Sequence, residues 1–345
     1  MVPSVPKTFA WLAPRVPEVL VPRRTMARFE PLTHRLPSLR NFSFECRLGA
    51  DASQVDFIAT LTPAWGGEEL ARERGAAPPE RSGPLWDGIR AFCAEWAPEG
   101  SPLHAEVPCL WLEFDHDRPA PHEPQPFTTV CVQPDYAHRR LTGGALPEGH
   151  PIRRTVWRSL ELLGQGPLEP EIRRALARCF EAIPTGGALS HVAPTFVRGT
   201  RSIRLVLTMP SRKVWAYLSR LGWPGRRADV ERMLEPLQSS SEVELYLDVA
   251  DGLLPSVGIG IGLLEPDEPR IPFLFERLIS WGLCTPEKHE GVVAWLGEDA
   301  RVLLPGLRIP SQLLRWVMIK LVHRPGRPLE AKAYPEFHVR PAFFD

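Results

Sequence analysis

Short segments of alternating apolar and polar residues come in pairs along this chain, and a stretch of helical periodicity separates one pair from the next. The pairs are Leu110–Phe114 with Thr128–Val132, His191–Val197 with Ser202–Thr208, Glu242–Val249 with Pro255–Leu263, and Leu313–His323 with Pro328–His338. Helical spacing occupies 84–97, 152–183, 211–236 and 271–296. Each connection inside a pair is too short, or in the first case too proline-rich, for a crossover helix, so the two strands of a pair are antiparallel. The repeated unit reads ααββ, and the fold class expected is α+β.

Each strand presents one apolar face and one mixed polar face. Leu110, Leu112 and Phe114 oppose Trp111 and Glu113, and Ile203, Leu205 and Leu207 oppose Arg204 and Thr208. Val243, Leu245, Leu247 and Val249 oppose Glu244, Tyr246 and Asp248, while Val317, Ile319 and Leu321 oppose Met318 and Lys320. In the last strand Ala331 and Ala333 oppose Lys332, Tyr334, Glu336 and His338. Helices cover the apolar side, which leaves the polar side to water or to the inside of a closed barrel. A weaker pair, Asn41–Leu48 with Gln54–Leu61, brings the strand total to about ten. An antiparallel sheet of that size is either strongly curved or closed, and a closed ten-stranded barrel leaves a ligand-sized interior.

Helices are read from three- and four-residue recurrence: Leu85, Trp86, Ile89, Phe92, Cys93 and Trp96 behind Pro84; Ile172, Ala175, Leu176, Cys179, Phe180 and Ile183 before Gly186-Gly187; Val214, Tyr217, Leu218 and Leu221; and Phe275, Leu278 and Ile279 before Gly282. Residues 1–40 hold seven prolines among basic residues, a composition that predicts an extended surface arm, with 41–345 forming a single repeat domain. The stretches 116–127 and 134–151 read as loops.

With 345 residues, 43% of them hydrophobic, the chain is long enough to bury a sizeable core, and its formal net charge of zero gives no support to a nucleic-acid partner. Cys46, Cys93, Cys109, Cys131, Cys179 and Cys284 are far apart in sequence and lack zinc-ligand spacing, so reduced thiols in a cytoplasmic protein are expected. The residues show neither a signal peptide nor an apolar run long enough to span a bilayer, so no membrane association is expected.

Five strand pairs separated by outer helices, with Glu330-Ala331-Lys332-Ala333-Tyr334 on the last strand, resemble the aromatic prenyltransferases of the α-β-β-α barrel type. The resemblance implies cationic strand residues that hold a diphosphate and tyrosines that shield an allyl cation, with Arg204 and Lys320 as companions of Lys332. Glu244-Leu245-Tyr246 departs from the pattern by placing an acid where a cation belongs.

A second resemblance rests on Trp111-Leu112-Glu113-Phe114-Asp115, Gly222-Trp223-Pro224-Gly225, Leu283-Cys284-Thr285-Pro286-Glu287-Lys288 and Pro328-Leu329-Glu330-Ala331-Lys332-Ala333-Tyr334. These blocks look like accessory proteins encoded beside ribosomal-peptide maturation enzymes, of the kind found in the crocagin pathway, and cover most of 40–340. The resemblance implies a protein that holds a precursor peptide while partner enzymes modify it.

Other features carry less chemistry. The alternating glycines of Val257-Gly258-Ile259-Gly260-Ile261-Gly262 lack the spacing and following helix of a dinucleotide loop, and read as a strand face stripped of side chains so that a backbone or ligand approaches closely. Asp115-His116-Asp117 with His122 has the donor types of a metal site, but neighbours on an extended segment point apart, which favours a polar loop. Ser190 and His191 are adjacent without a nucleophile-elbow motif. Glu113, beside Trp111, is either a carboxylate raised by burial and available as a base, or an exposed or arginine-paired glutamate on a sheet.

On the polar faces Glu113, Glu244, Asp248, Glu330 and Glu336 outnumber Arg204, Lys320 and Lys332, which suits a peptide better than a diphosphate. Of eleven tryptophans, Trp86, Trp96, Trp215 and Trp281 read as helix packing, and Trp111 and Trp316 as anchors for a partner chain. The expectation is a non-catalytic peptide-binding protein without cofactor or metal. Its binding residues are Trp111, Glu113, Arg204, Tyr246, Lys320, Lys332 and Tyr334, and its partners a precursor peptide and peptide-modifying enzymes. An aromatic or peptide prenyltransferase using the same cations and tyrosines, with Glu113 as base, is the alternative.

Overall fold

The computed structural model describes residues 4–50, 54–73, 78–115, 126–132, 143–237, 242–264, 269–303 and 310–341, with the side chains of 262–264, 340 and 341 outside that description. Its strands are β1 (Asn41–Arg47), β2 (Val55–Leu61), β3 (Cys109–Phe114), β4 (Phe127–Cys131), β5 (Ala188–Pro194), β6 (Ile203–Pro210), β7 (Glu242–Val249), β8 (Leu253–Leu264), β9 (Gly297–Val302), β10 (Ser311–His323) and β11 (Glu330–Pro341). Neighbours in the sheet are antiparallel throughout, running β11-β1-β2-β3-β4-β5-β6-β7-β8-β10, and β10 also pairs with β11. That last pairing closes a ten-stranded barrel. The thirteen-residue β10 is longer than β8 requires: its second half meets β8, and Ser311–Arg315 pairs instead with the appended β9, which the alternation pattern did not reveal.

Eleven α-helices lie among the described residues: α1 (Val5–Leu12), α2 (Arg23–Thr33), α3 (Gly67–Arg72), α4 (Pro84–Trp96), α5 (Pro102–Glu106), α6 (Pro151–Gly164), α7 (Pro170–Glu181), α8 (Val214–Arg220), α9 (Arg227–Leu234), α10 (Arg270–Ser280) and α11 (Pro286–Trp295). Six of them carry proline in the first turn, where a missing N–H forfeits no hydrogen bond. Much of the high proline content therefore starts helices. The helical stretch 152–183 breaks at Gln165, which takes a left-handed conformation (φ 57°) before Pro167 and Pro170.

One apolar core occupies the space between the barrel and the helices, filled by outward strand residues such as Phe44, Phe57, Leu112, Leu205 and Ile259 and inward helix residues such as Trp86, Phe92, Phe180 and Phe275. Within 1–40, the described residues 4–40 contribute to it, which corrects the extended arm. Val5, Phe9 and Leu12 recur at helical spacing on α1, and Met26 and Phe29 on α2. The Phe9 ring lies 5.6 Å from Phe42 and that of Phe29 lies 5.4 Å from Phe57. Burying such side chains contributes about 2 kcal/mol each, enough to order a proline-rich segment in which Pro6 opens α1 and Pro22 caps α2, although Pro31 lies inside α2. Residues 116–125 and 133–142, which cover most of the two expected loops, lie outside the described residues; 143–150 is irregular and leads into α6.

Candidate functional site

Strand alternation and closure together determine what faces the barrel axis. The seven residues singled out in the sequence, Trp111, Glu113, Arg204, Tyr246, Lys320, Lys332 and Tyr334, all line the interior, which holds two adjoining cavities. One, of about 340 Å³, is charged; the other, of about 310 Å³, is lined by aromatic and aliphatic groups. Glu113, Arg204, Tyr246 and Lys320 border both, Lys332 borders the first, and Trp111 and Tyr334 border the second. Each cavity falls at the lower end of the range for small-ligand sites.

At the charged end, register builds the ion pairs. Arg204 stands opposite Asp248 across β6 and β7, with Nε to Oδ1 at 2.9 Å and Nη2 to Oδ2 at 3.1 Å. Lys332 has Arg47 as neighbour on β1 and Lys320 on β10, so three cations adjoin and need carboxylates between them. Glu45 supplies one: Lys332 Nζ donates to it at 2.5 Å, Arg47 lies at 3.2 Å, and the Tyr334 hydroxyl donates to its second oxygen. Asp56, opposite Glu45 in register, takes Arg47 at 2.6 Å. Burial alone would raise the Glu45 carboxyl, but Lys332 and Arg47 outweigh it and hold the group well below the usual carboxylate range. Asp248 is likewise lowered, Arg204 overcoming the effect of burial.

Sequence reasoning missed Glu45, Arg47, Asp56 and Arg198. The first three follow the alternation of β1 and β2, Ser43-x-Glu45-x-Arg47 and Asp56-x-Ile58-x-Thr60, and were legible there. Arg198 was not, because the strand expected over 191–197 ends at Pro194 and a turn of 3₁₀ helix, Phe196–Arg198, swings the arginine back over the barrel mouth. Its guanidinium bridges Glu113 (2.6 Å) and Asp115 (2.6 and 2.9 Å) and lies 3.9 Å from the Phe127 ring centre. Glu113 is therefore the arginine-paired glutamate. With these residues, Arg324 and Asp115 added, six cations and five carboxylates line the charged cavity, which reverses the excess of acid expected from the strands.

The donor sets considered for metals fare differently. Asp115 is engaged by Arg198, while His116, Asp117 and His122 lie outside the described residues. Oxygens of Glu45, Asp56 and Glu113 lie within 4.8 Å of one another, a spacing suited to a divalent ion, yet Lys332, Arg47 and Arg198 already supply positive charge to each.

Lys320 occupies the junction of the two cavities. Among the described residues it is the cavity-lining lysine with no carboxylate within ion-pair distance; its Nζ lies 3.5 Å from the centre of the Tyr246 ring. Burial, then Arg204 and Lys332, push its amine down to about 7 against the pull of Glu45 and Glu113. The glycine face of β8 makes room here. A Cβ on Gly258 would come within 3.0 Å of Lys320 Cε and 3.1 Å of Tyr246 Cβ, and one on Gly260 within 3.2 Å of the Tyr246 ring. The absent side chains are replaced by a neighbouring tyrosine and lysine, not by an open groove.

The aromatic end holds a small apolar cluster of Ile58, Met318 and Tyr334 with Trp111 against it. The His191 ring lies 4.5 Å from that of Trp111, tilted by 33°, and is buried, which drives its imidazole down to about 4 and leaves it neutral at physiological pH. Ser190 shares a 2.5 Å hydrogen bond with Thr208. The carboxyl that burial does raise is Glu336, to about 7, with Glu244 adding to the shift and the Trp316 indole N–H, donating at 3.2 Å, opposing it. Cys109 and Cys131, distant in sequence, face each other in register across β3 and β4 and border this cavity.

The interior thus offers paired ions at one end, an aromatic slot at the other and a single amine between. No protein-family model matches the chain, and no curated protein matches it. No helix among the described residues is long and apolar enough to cross a membrane.

Proposed function

We propose that the barrel is a non-catalytic peptide-binding module that holds a ribosomal precursor peptide for modification by partner enzymes. The observation that carries this reading is the pairing inside the lumen: Arg47, Arg198, Arg204 and Lys332 each already face a carboxylate at 2.9 Å or less. A diphosphate would have to displace those carboxylates, whereas a peptide brings amides, both charges and apolar side chains that match a mixed polar rim and an aromatic slot. Trp111, Tyr334 and Met318 are suited to receive a side chain, and the neighbouring ion pairs to receive main-chain groups. Titrating the protein with precursor peptides encoded beside its gene tests this: saturable binding by one of them is expected, and its absence for all of them would overturn the reading.

The closed ten-stranded barrel, with Tyr246 and Tyr334 beside Lys320, favours an aromatic prenyltransferase as the second reading. It requires thermal stabilisation by dimethylallyl or geranyl diphosphate, and product formation lost in Lys332→Ala and Arg204→Ala. Indifference to both diphosphates removes it.

A further inference from the structure

We propose that Lys320 is a covalent capture site for carbonyl compounds, forming a reversible imine with an aldehyde or ketone whose apolar body lodges in the aromatic cavity. This goes beyond peptide binding and stands on the position of the amine. Lys320 is 8% exposed, borders both cavities, and lacks a carboxylate partner among the described residues, unlike Lys332, which is bound to Glu45. A lysine becomes nucleophilic when desolvated or set beside another cation, and Lys320 meets both conditions, with Lys332 opposite it in register and Arg204 in the same cavity wall. The Tyr246 face steadies the ammonium form by a cation–π contact, so the amine is poised between charged and neutral and not locked in either. Gly258 and Gly260 on the neighbouring strand β8 carry no side chains that would press on Lys320 Cε and the Tyr246 ring, so the amine and the ring keep their contact.

The step balances without an oxidant. Neutral Nζ attacks the carbonyl carbon, the C–N bond forms, and the carbonyl oxygen leaves as water carrying the two hydrogens of the amine, to give C=N. The Tyr246 hydroxyl, which donates to Glu244 at 2.5 Å, provides a proton-carrying pair on β7, two strands from Lys320 in the sheet. The aromatic lining of Trp111, Met318 and Tyr334 next to the amine selects carbonyls with a flat or branched apolar substituent.

The chain contains five lysines, Lys7, Lys213, Lys288, Lys320 and Lys332, which makes the test direct. The protein is incubated with formaldehyde or with 3-phenylpropanal in sodium cyanoborohydride, which reduces an imine to a stable secondary amine, and alkylation is mapped by peptide mass spectrometry. At pH 7.5 an ordinary lysine is neutral to roughly one part in a thousand. Labelling of Lys320 at least tenfold faster than of the exposed Lys7 is expected, with a larger preference for 3-phenylpropanal than for formaldehyde. The rate at Lys320 falls between pH 7.5 and 5.5. The charged and titratable groups facing it through this range are Arg204, Lys332, Glu45, Glu113, Asp248 and Tyr246. Lys320→Arg, which keeps the positive charge, removes the fast label and leaves Lys7 unchanged. Formaldehyde labelling at Lys320 no faster than at Lys7, or equally fast labelling at pH 5.5 and 7.5, would overturn the proposal, whatever the outcome of the peptide titrations.

Discussion

The two ends of the lumen are built from the same ten strands and solve opposite problems. At the charged end buried ions are held by one another: Glu45 serves Lys332, Arg47 and Tyr334 at once, and Arg47 is shared with Asp56. At the aromatic end Ile58, Trp111 and Met318 enclose volume without filling it and determine what fits, while the Tyr334 hydroxyl reaches back to Glu45. The contrast teaches that stability and recognition are separable in this interior, and that Lys320 and Tyr246, which touch both ends, are where they meet.

The largest expected effect breaks the charged end. Glu45→Ala leaves the buried Lys332 with no carboxylate nearer than Glu330 at 3.9 Å and should destabilise the fold by about 3–5 kcal/mol, read as a lower denaturation midpoint. If the midpoint moves no more than for a surface substitution, the network is not holding the barrel. Next, Trp111→Ala should weaken peptide binding by about 2 kcal/mol or more while costing far less in stability than Glu45→Ala, a split that calorimetry and chemical unfolding together would detect. Gly258→Ala tests the junction: the new Cβ presses on Tyr246 Cβ and Lys320 Cε, for a cost of about 1–3 kcal/mol.

The smallest effects are in pH dependence, and they differ in sign between the ends. Glu45 and Asp248 are held below their unfolded values, so their contribution is present above about pH 4.5 and is lost as pH falls through the depressed values. Glu336 is raised from 4.5 to about 7, so the folded state keeps a proton the unfolded chain releases; stability falls as pH rises from about 4.5 through 7. Glu336→Gln should flatten that fall. Lys320, lowered to about 7, contributes the opposite slope between about pH 7 and 10, which Lys320→Met would remove. Unfolding curves across pH for the two variants separate the contributions.

Much of this was legible in the sequence, for reasons that particular elements make plain. Period-two alternation places Arg204, Tyr246, Lys320 and Lys332 on one face, and closure brings that face together, so the convergence of all seven predicted residues follows from pattern alone. Alternation gives no sign of Arg198, which leaves a 3₁₀ turn, or of which carboxylate is desolvated, since that depends on partners from other elements: Glu113 meets an arginine of the turn and Glu336 a tryptophan in register on β10. Proline content misled at the N-terminus because composition counts prolines without their positions. In α1 proline sits where a helix begins, and Phe9 and Leu12 lie behind it.

The central claim, that a peptide is held inside the barrel at its aromatic end, is tested most directly by calorimetric titration of a precursor peptide encoded beside the gene into the wild-type protein and into Met318→Trp, which fills the cavity next to Trp111 and Tyr334. Saturable binding by the wild type and at least tenfold weaker binding by the filled variant, with its fold retained, is the predicted result. Equal affinity for both proteins, or no saturable binding by the wild type, would contradict it.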